Sequence, residues 1–160
     1  MTRIEKLEKI ILGTLLESDS QKNYFTDCRC CITADMFSDE VGRRIYRIIS
    51  DMNMKGITET DPCTIAQTYG EDIMDILPVM LDLVTDYSFI HLKMQHNERA
   101  FLLYYYDGIK PEYTYVSFTD YVNAFLKHYE DEKRKEFVRA DAAAARSRYG
   151  ERGIGYAYEV

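Results

Sequence analysis

Residues 3–17, with the sequence RIEKLEKIILGTLLE, carry a clear helical pattern of apolar residues. These apolar residues recur every three to four positions, which places them along one face of a helix. The members of that stripe are Ile4, Leu7, Ile11 and Leu15. Glutamate and lysine fill most of the opposite face. The stretch therefore predicts an amphipathic helix that buries one face against other helices.

Gly13 interrupts this helix, and a glycine inside a helix costs about 1 kcal/mol relative to alanine. A glycine at such a position usually means that another element approaches the backbone closely. We therefore predict that Gly13 is a site of close helix packing.

A second helix is predicted from Ser38 onward. Asp39 and Glu40 occupy its first turn, where the helix dipole favours carboxylates, and Lys55 and Gly56 supply a stop signal. Its apolar residues fall on one continuous face and are Val41, Ile45, Ile48 and Met52. The pattern predicts a helix packed on one side.

Two further helices are expected after this one. Asp61 suits an N-cap and Pro62 the first helical position, so a helix is predicted from there to Gly70. Residues 71–85 are rich in isoleucine, leucine and methionine and predict an apolar helix that Pro78 bends.

The last part of the chain is predicted to contain one segment that is either helix or hairpin, followed by one long helix. Residues 88–106 are predicted to be helical, but residues 101–116 are also compatible with a hairpin of two aromatic strands. Residues 117–145 predict a long C-terminal helix, and residues 146–160 a flexible tail. The apolar stripe of the long helix consists of Phe118, Val122, Phe125 and Tyr129. The predicted organisation is thus a helical bundle over residues 1–116 followed by this helix and tail.

Length and composition limit the function classes. The chain has 160 residues, a net charge of −7, eight glycines and three prolines, which is typical of one helical domain. A complete P-loop helicase or a polymerase would not fit this length. No apolar run of 18 residues or signal-peptide core occurs, so no membrane contact is expected and the predicted location is cytoplasmic. The negative net charge disfavours a protein whose whole surface binds nucleic acid.

Motifs that carry catalysis are absent from the sequence. It contains no G-x-x-x-x-G-K-[ST], G-x-G-x-x-G, H-E-x-x-H or G-x-S-x-G pattern. Cys28, Cys30 and Cys31 crowd together without a histidine at metal-ligand spacing, so reduced thiols are expected rather than a metal site. The sequence therefore predicts no catalytic residue, no cofactor and no metal.

Arg43, Arg44 and Arg47 are candidate partner-binding residues on the second helix. They present guanidinium groups that suit a carboxylate or a phosphate. The alternative is that they pair with carboxylates three or four positions away on the same helix. The stripe Phe118, Val122, Phe125 and Tyr129 is the other predicted contact surface, used for self-association.

Three linked stretches resemble the N-terminal domain of the DnaB-type replicative helicases. They are EKIILGTLL at residues 8–16, MF at 36–37 with RRIYRII at 43–49, and GITETDPCTIA at 56–66. Residues 121–138 are similar to a further helix of that family. Residues 86–116 and the cysteine cluster depart from its pattern, and an ATPase domain is missing.

The resemblance implies an all-α fold, a compact orthogonal helical bundle with a protruding C-terminal helix. It implies a non-catalytic module that binds copies of itself, as a homodimer or a higher oligomer. In the helicases this module also meets primase or a loader. Gly13 would then mark a helix crossing, and residues 117–145 would form half of an α-hairpin used for pairing.

We therefore expect a non-catalytic protein–protein interaction module associated with DNA replication, either free-standing or part of a longer helicase. Its expected partners are itself and a replicative helicase, primase or loader, with DNA bound only weakly. Two alternatives stay open. One is a DNA-binding regulator that uses Arg43, Arg44, Arg47 and the C-terminal arm. The other is an enzyme whose active site carries none of the catalytic motifs named above.

Overall fold

The computed structural model describes residues 2–88 and 117–150. Within these ranges the chain is all-α, as predicted, and its remaining regular structure is three short 3-10 turns. The α-helices are α1 (Arg3–Leu15), α2 (Glu40–Met54), α3 (Pro62–Tyr69), α4 (Leu77–Tyr87) and α5 (Phe118–Gly150). The choice between helix and hairpin at 101–116, and almost all of the predicted helix 88–106, lie outside the described residues.

Helix α1 supplies the centre of the core, as its apolar stripe predicts. Thr2 and Glu5 form a capping box that fixes where the helix begins. Leu7, Ile11 and Leu15 on its inner face are buried. The helix packs against both α2 and α4, with its most extensive contact to α4.

Helix α2 begins at Glu40, two residues later than the predicted start at Ser38, and Asp39 is its N-cap rather than a residue of its first turn. The Asp39 carboxylate accepts a hydrogen bond of 2.6 Å from the backbone N–H of Gly42. Ser38 instead donates to Glu8 of α1. At the other end the helix finishes at Met54, with Lys55 as its C-cap. Gly56 follows with a positive φ, a backbone conformation that glycine adopts without steric strain.

Residues 71–85 do not form the single bent helix that the sequence predicts. A 3-10 turn covers Gly70–Ile73, and α4 begins separately at Leu77. Pro78 lies in the first turn of α4, where its missing N–H leaves no intrahelical hydrogen bond unmade. The proline therefore starts a helix here instead of bending one. The predicted start of α3 at Asp61 and Pro62 and its end at Gly70 are both confirmed.

Helix α5 runs from Phe118 to Gly150, so it continues past the predicted end at residue 145. The chain divides into two compact units, Met1–Leu126 and Lys127–Val160, and the first turns of α5 belong to the first unit. Phe125 stacks on Phe37 with ring centroids 5.3 Å apart. The bundle therefore includes part of the helix that the sequence assigns to a separate segment.

No helix in the described ranges is both long enough and apolar enough to cross a lipid bilayer.

Candidate partner-binding surfaces

The three candidate arginines of α2 all lie beside carboxylates of the same unit. Arg43 is 3.0 Å from Glu40 and also donates to the carbonyl oxygen of Phe37. Arg47 lies 3.6 Å from another oxygen of Glu40. The Arg43 contact, three positions along the helix, is the same-helix pairing that was the alternative to partner binding, whereas Arg47 and Glu40 lie seven positions apart. The hydrogen bond from Arg43 is the largest influence on the pKa of Glu40 and lowers it.

Arg44 makes a contact that no helical spacing predicts. Its guanidinium donates a hydrogen bond of 2.7 Å to Asp75 and a second one to the carbonyl oxygen of Asp72. These bonds tie α2 to the segment that precedes α4, and the bond from Arg44 to the Asp75 carboxylate lowers the pKa of Asp75. Arg44 thus joins two parts of the bundle that are far apart in sequence.

The predicted stripe of α5 lies mostly inside the first unit. Phe118, Val122 and Phe125 are buried there, and Phe118 makes an edge contact with Tyr24 at 5.4 Å between centroids. Tyr129, in the second unit, is half-buried, and the ammonium of Lys133 lies over its ring. Three of the four residues of the predicted contact stripe are therefore buried within the first unit.

Phe137 and Val138 are the large apolar residues that lie exposed in the described part of that helix. Their exposed fractions are 74% and 64% respectively. Sequence reasoning did not select them as contact residues, because they follow the polar run 130–136 and lie outside the predicted stripe. The signal that marks them is the combination of a large apolar pair with charged residues on every neighbouring turn. They belong to the second unit, Lys127–Val160.

Gly13 lies where two backbones nearly touch. A Cβ atom on Gly13 would be 2.4 Å from the carbonyl oxygen of Leu83 and 3.1 Å from the backbone nitrogen of Ser88. Real Cβ atoms essentially never come within 3.0 Å of another heavy atom, so the approach to the Leu83 carbonyl excludes a side chain at this position unless the backbone shifts. Only glycine therefore lets α1 pack this closely against the C-terminal part of α4.

An open groove of about 710 Å³ lies between α1, α2 and α4. We call it the acidic groove, because four carboxylates and one lysine line it together with apolar side chains. Its charged residues are Glu5, Glu8, Asp39, Asp82 and Lys9; its apolar residues are Leu12, Phe37, Val41, Ile45, Val79, Leu83 and Tyr87. Val79 is 41% exposed, so part of the apolar lining is open to solvent.

Glu8 is the buried carboxylate of the acidic groove. It accepts two hydrogen bonds of 2.6 Å from Ser38, one from the backbone N–H and one from the hydroxyl. Burial nevertheless raises the pKa of Glu8 above its ordinary value, and the charges of Asp39 and Glu5 add to that effect. Glu8 thus links α1 to the start of α2 and places negative charge in the groove.

Replacing Glu8 with glutamine should change how stability depends on pH. Because its pKa is higher in the folded chain than the ordinary 4.5, the native state holds that proton more tightly than the unfolded chain does. The contribution of Glu8 is therefore most favourable at low pH and declines as pH rises through the folded pKa. Urea unfolding between about pH 4 and pH 7 should show wild type losing stability relative to Glu8→Gln as pH rises. Parallel curves would contradict this expectation.

The described residues contain no group of three or more histidine, cysteine, aspartate or glutamate side chains arranged to hold a metal ion. Cys28 is buried, which raises its pKa, whereas Cys30, Cys31 and Cys63 are exposed. A buried thiol with a raised pKa is a poor nucleophile.

The described part of the first unit is an all-α module. Its sequence matches the family model described as the DnaB-like helicase N-terminal domain over residues 2–89. The match covers more than half of the chain, which therefore belongs to this family. The resemblance drawn from residues 8–66 is confirmed, and the N-terminal domain of DnaB is itself non-catalytic. Comparison with curated proteins and with solved structures gave no significant match.

Proposed function

We propose that this chain is a non-catalytic protein-contact module of DNA replication. It associates with copies of itself and with a replicative helicase, a primase or a helicase loader. Membership of the DnaB-like family supports the link to replication. The proposal concerns binding alone and assigns no reaction to the chain.

The observation that carries the contact role is the exposure of Phe137 and Val138 on α5. Large aromatic and aliphatic side chains are stabilised when a partner removes them from water. The surrounding polar residues keep the free helix soluble and would form the rim of an interface. This pattern suits a surface that is exposed in the free chain and covered in a complex.

The placement of the arginines supports weak rather than strong DNA binding. Arg43, Arg44 and Arg47 each lie within 4 Å of a carboxylate, so part of their charge is already compensated. The chain as a whole carries a charge of −7, which opposes approach to phosphates. Proteins are therefore the proposed partners, and DNA is contacted through them.

A direct binding experiment tests this proposal. The full chain would be titrated against the purified helicase, primase and loader encoded in the same genome, and against a short DNA duplex at two salt concentrations. We expect binding to at least one of the proteins and only weak binding to the duplex. The double variant Phe137→Ala/Val138→Ala should weaken protein binding at least about tenfold, the range expected for an interface anchor.

Leu81→Ala provides the matched control, because Leu81 is an exposed apolar residue on α4 and lies outside α5. It should bind the protein partner like wild type. Tight, salt-sensitive binding to the duplex together with no binding to any of the three proteins would overturn the proposal. That result would favour a DNA-binding regulator that uses the three arginines.

A further inference from the structure

We propose that the acidic groove of one copy receives residues 133–139 of a second copy. This inference rests on the proposed self-association and states which surfaces meet. It is a contact between two different surfaces, a groove and a helix, rather than between two identical helices.

The groove has two properties that determine which ligand it can bind. It is apolar along its floor, where Leu12, Phe37 and Ile45 lie, and Val79 remains partly exposed at its edge. It is also negatively charged, because it holds four carboxylates and one lysine. A ligand of matching chemistry is a helical segment with a large apolar side chain flanked by cations.

Residues 133–139 of α5 have that chemistry. The segment reads KRKEFVR and contains four cations, one carboxylate and the exposed pair Phe137 and Val138. Its charge balance is thus opposite to that of the groove, with four cations and one carboxylate against four carboxylates and one cation. Opposite charge on two surfaces steers their encounter and selects their orientation.

The cations of this segment are free to change partners. Lys133, Arg134 and Lys135 each pair with a carboxylate on their own helix, at 3.6, 3.9 and 3.2 Å. All three side chains are more than half exposed, and exposed pairs of this kind exchange with solvent or with another carboxylate at little cost. Asp82, on the exposed part of the groove, is an acceptor for them.

A complementation experiment tests the groove-to-helix contact. One full-length variant carries a damaged groove, Val79→Lys/Asp82→Lys, and another carries a damaged segment, Phe137→Glu/Val138→Glu. Each variant alone lacks one half of the contact, so both should self-associate at least about tenfold more weakly than wild type in sedimentation velocity runs. Mixed together they retain one intact groove and one intact segment, and we expect a 1:1 complex.

The control for the groove is Leu81→Lys, which places a lysine on α4 at an exposed position outside the groove lining. It should self-associate like wild type. A groove variant that associates as strongly as wild type, or a mixture that forms no complex, would overturn this inference while leaving the proposed function intact. A wild-type chain that stays monomeric at high micromolar concentration would overturn both. Circular dichroism of each variant checks that it is folded.

Discussion

Replacing Phe125 with alanine is expected to lower the free energy of unfolding by about 3–5 kcal/mol. Phe125 is fully buried and stacks on Phe37 with centroids 5.3 Å apart. Truncation removes this contact and leaves a cavity between the start of α5 and the rest of the bundle. Urea unfolding followed by circular dichroism would measure the loss.

Phe137 on the same helix is the matched control for this prediction. It is 74% exposed, so Phe137→Ala should change the free energy of unfolding by no more than about 0.5 kcal/mol. The two substitutions remove the same group from one helix and differ mainly in burial. Equal losses from both would show that the start of α5 is not part of the core.

Replacing Gly13 with alanine is expected to cost about 2 kcal/mol, although alanine is the better helix former. The new Cβ would lie 2.4 Å from the carbonyl oxygen of Leu83, which is backbone and cannot rotate away. Helices α1 and α4 must therefore move apart, and the loss of packing outweighs the gain in helix propensity. Gly13→Leu should cost more than Gly13→Ala, since a larger side chain forces a larger separation. The same unfolding measurement applies.

Gly56 separates this steric effect from an effect of backbone conformation. Its φ is +83°, but a Cβ there would meet nothing within 4 Å. Gly56→Ala and Gly56→Leu should therefore cost about the same, roughly 1 kcal/mol each, from the positive φ alone. If the cost at Gly13 did not grow with side-chain size, the close approach of α1 and α4 would not be the reason for its glycine.

Local signals in the sequence were enough to predict most of the helices. The stripe that includes Leu7 and Ile11 predicted α1, and the cap formed by Asp61 and Pro62 predicted α3. These features act within a few residues of the chain, so no knowledge of the fold is needed. Pro78 was misinterpreted because a proline can bend a helix or start one, and only the preceding 3-10 turn decides between the two.

The candidate site depended on contacts that sequence spacing does not contain. The partner of Arg44 is Asp75, 31 residues away, and the acidic groove is assembled from three helices. An apolar stripe in the sequence also does not show whether it packs against the chain's own core or stays exposed for a partner. The stripe that contains Phe118 and Phe125 meets the chain's own core, whereas Phe137 stays exposed.

Sedimentation equilibrium of the wild-type chain measures whether it associates with copies of itself, as we propose. The protein would be run from low to high micromolar concentration in physiological salt. We predict that the weight-average mass rises with concentration above the 18.8 kDa of one chain. A mass that stays at 18.8 kDa throughout this range would contradict it.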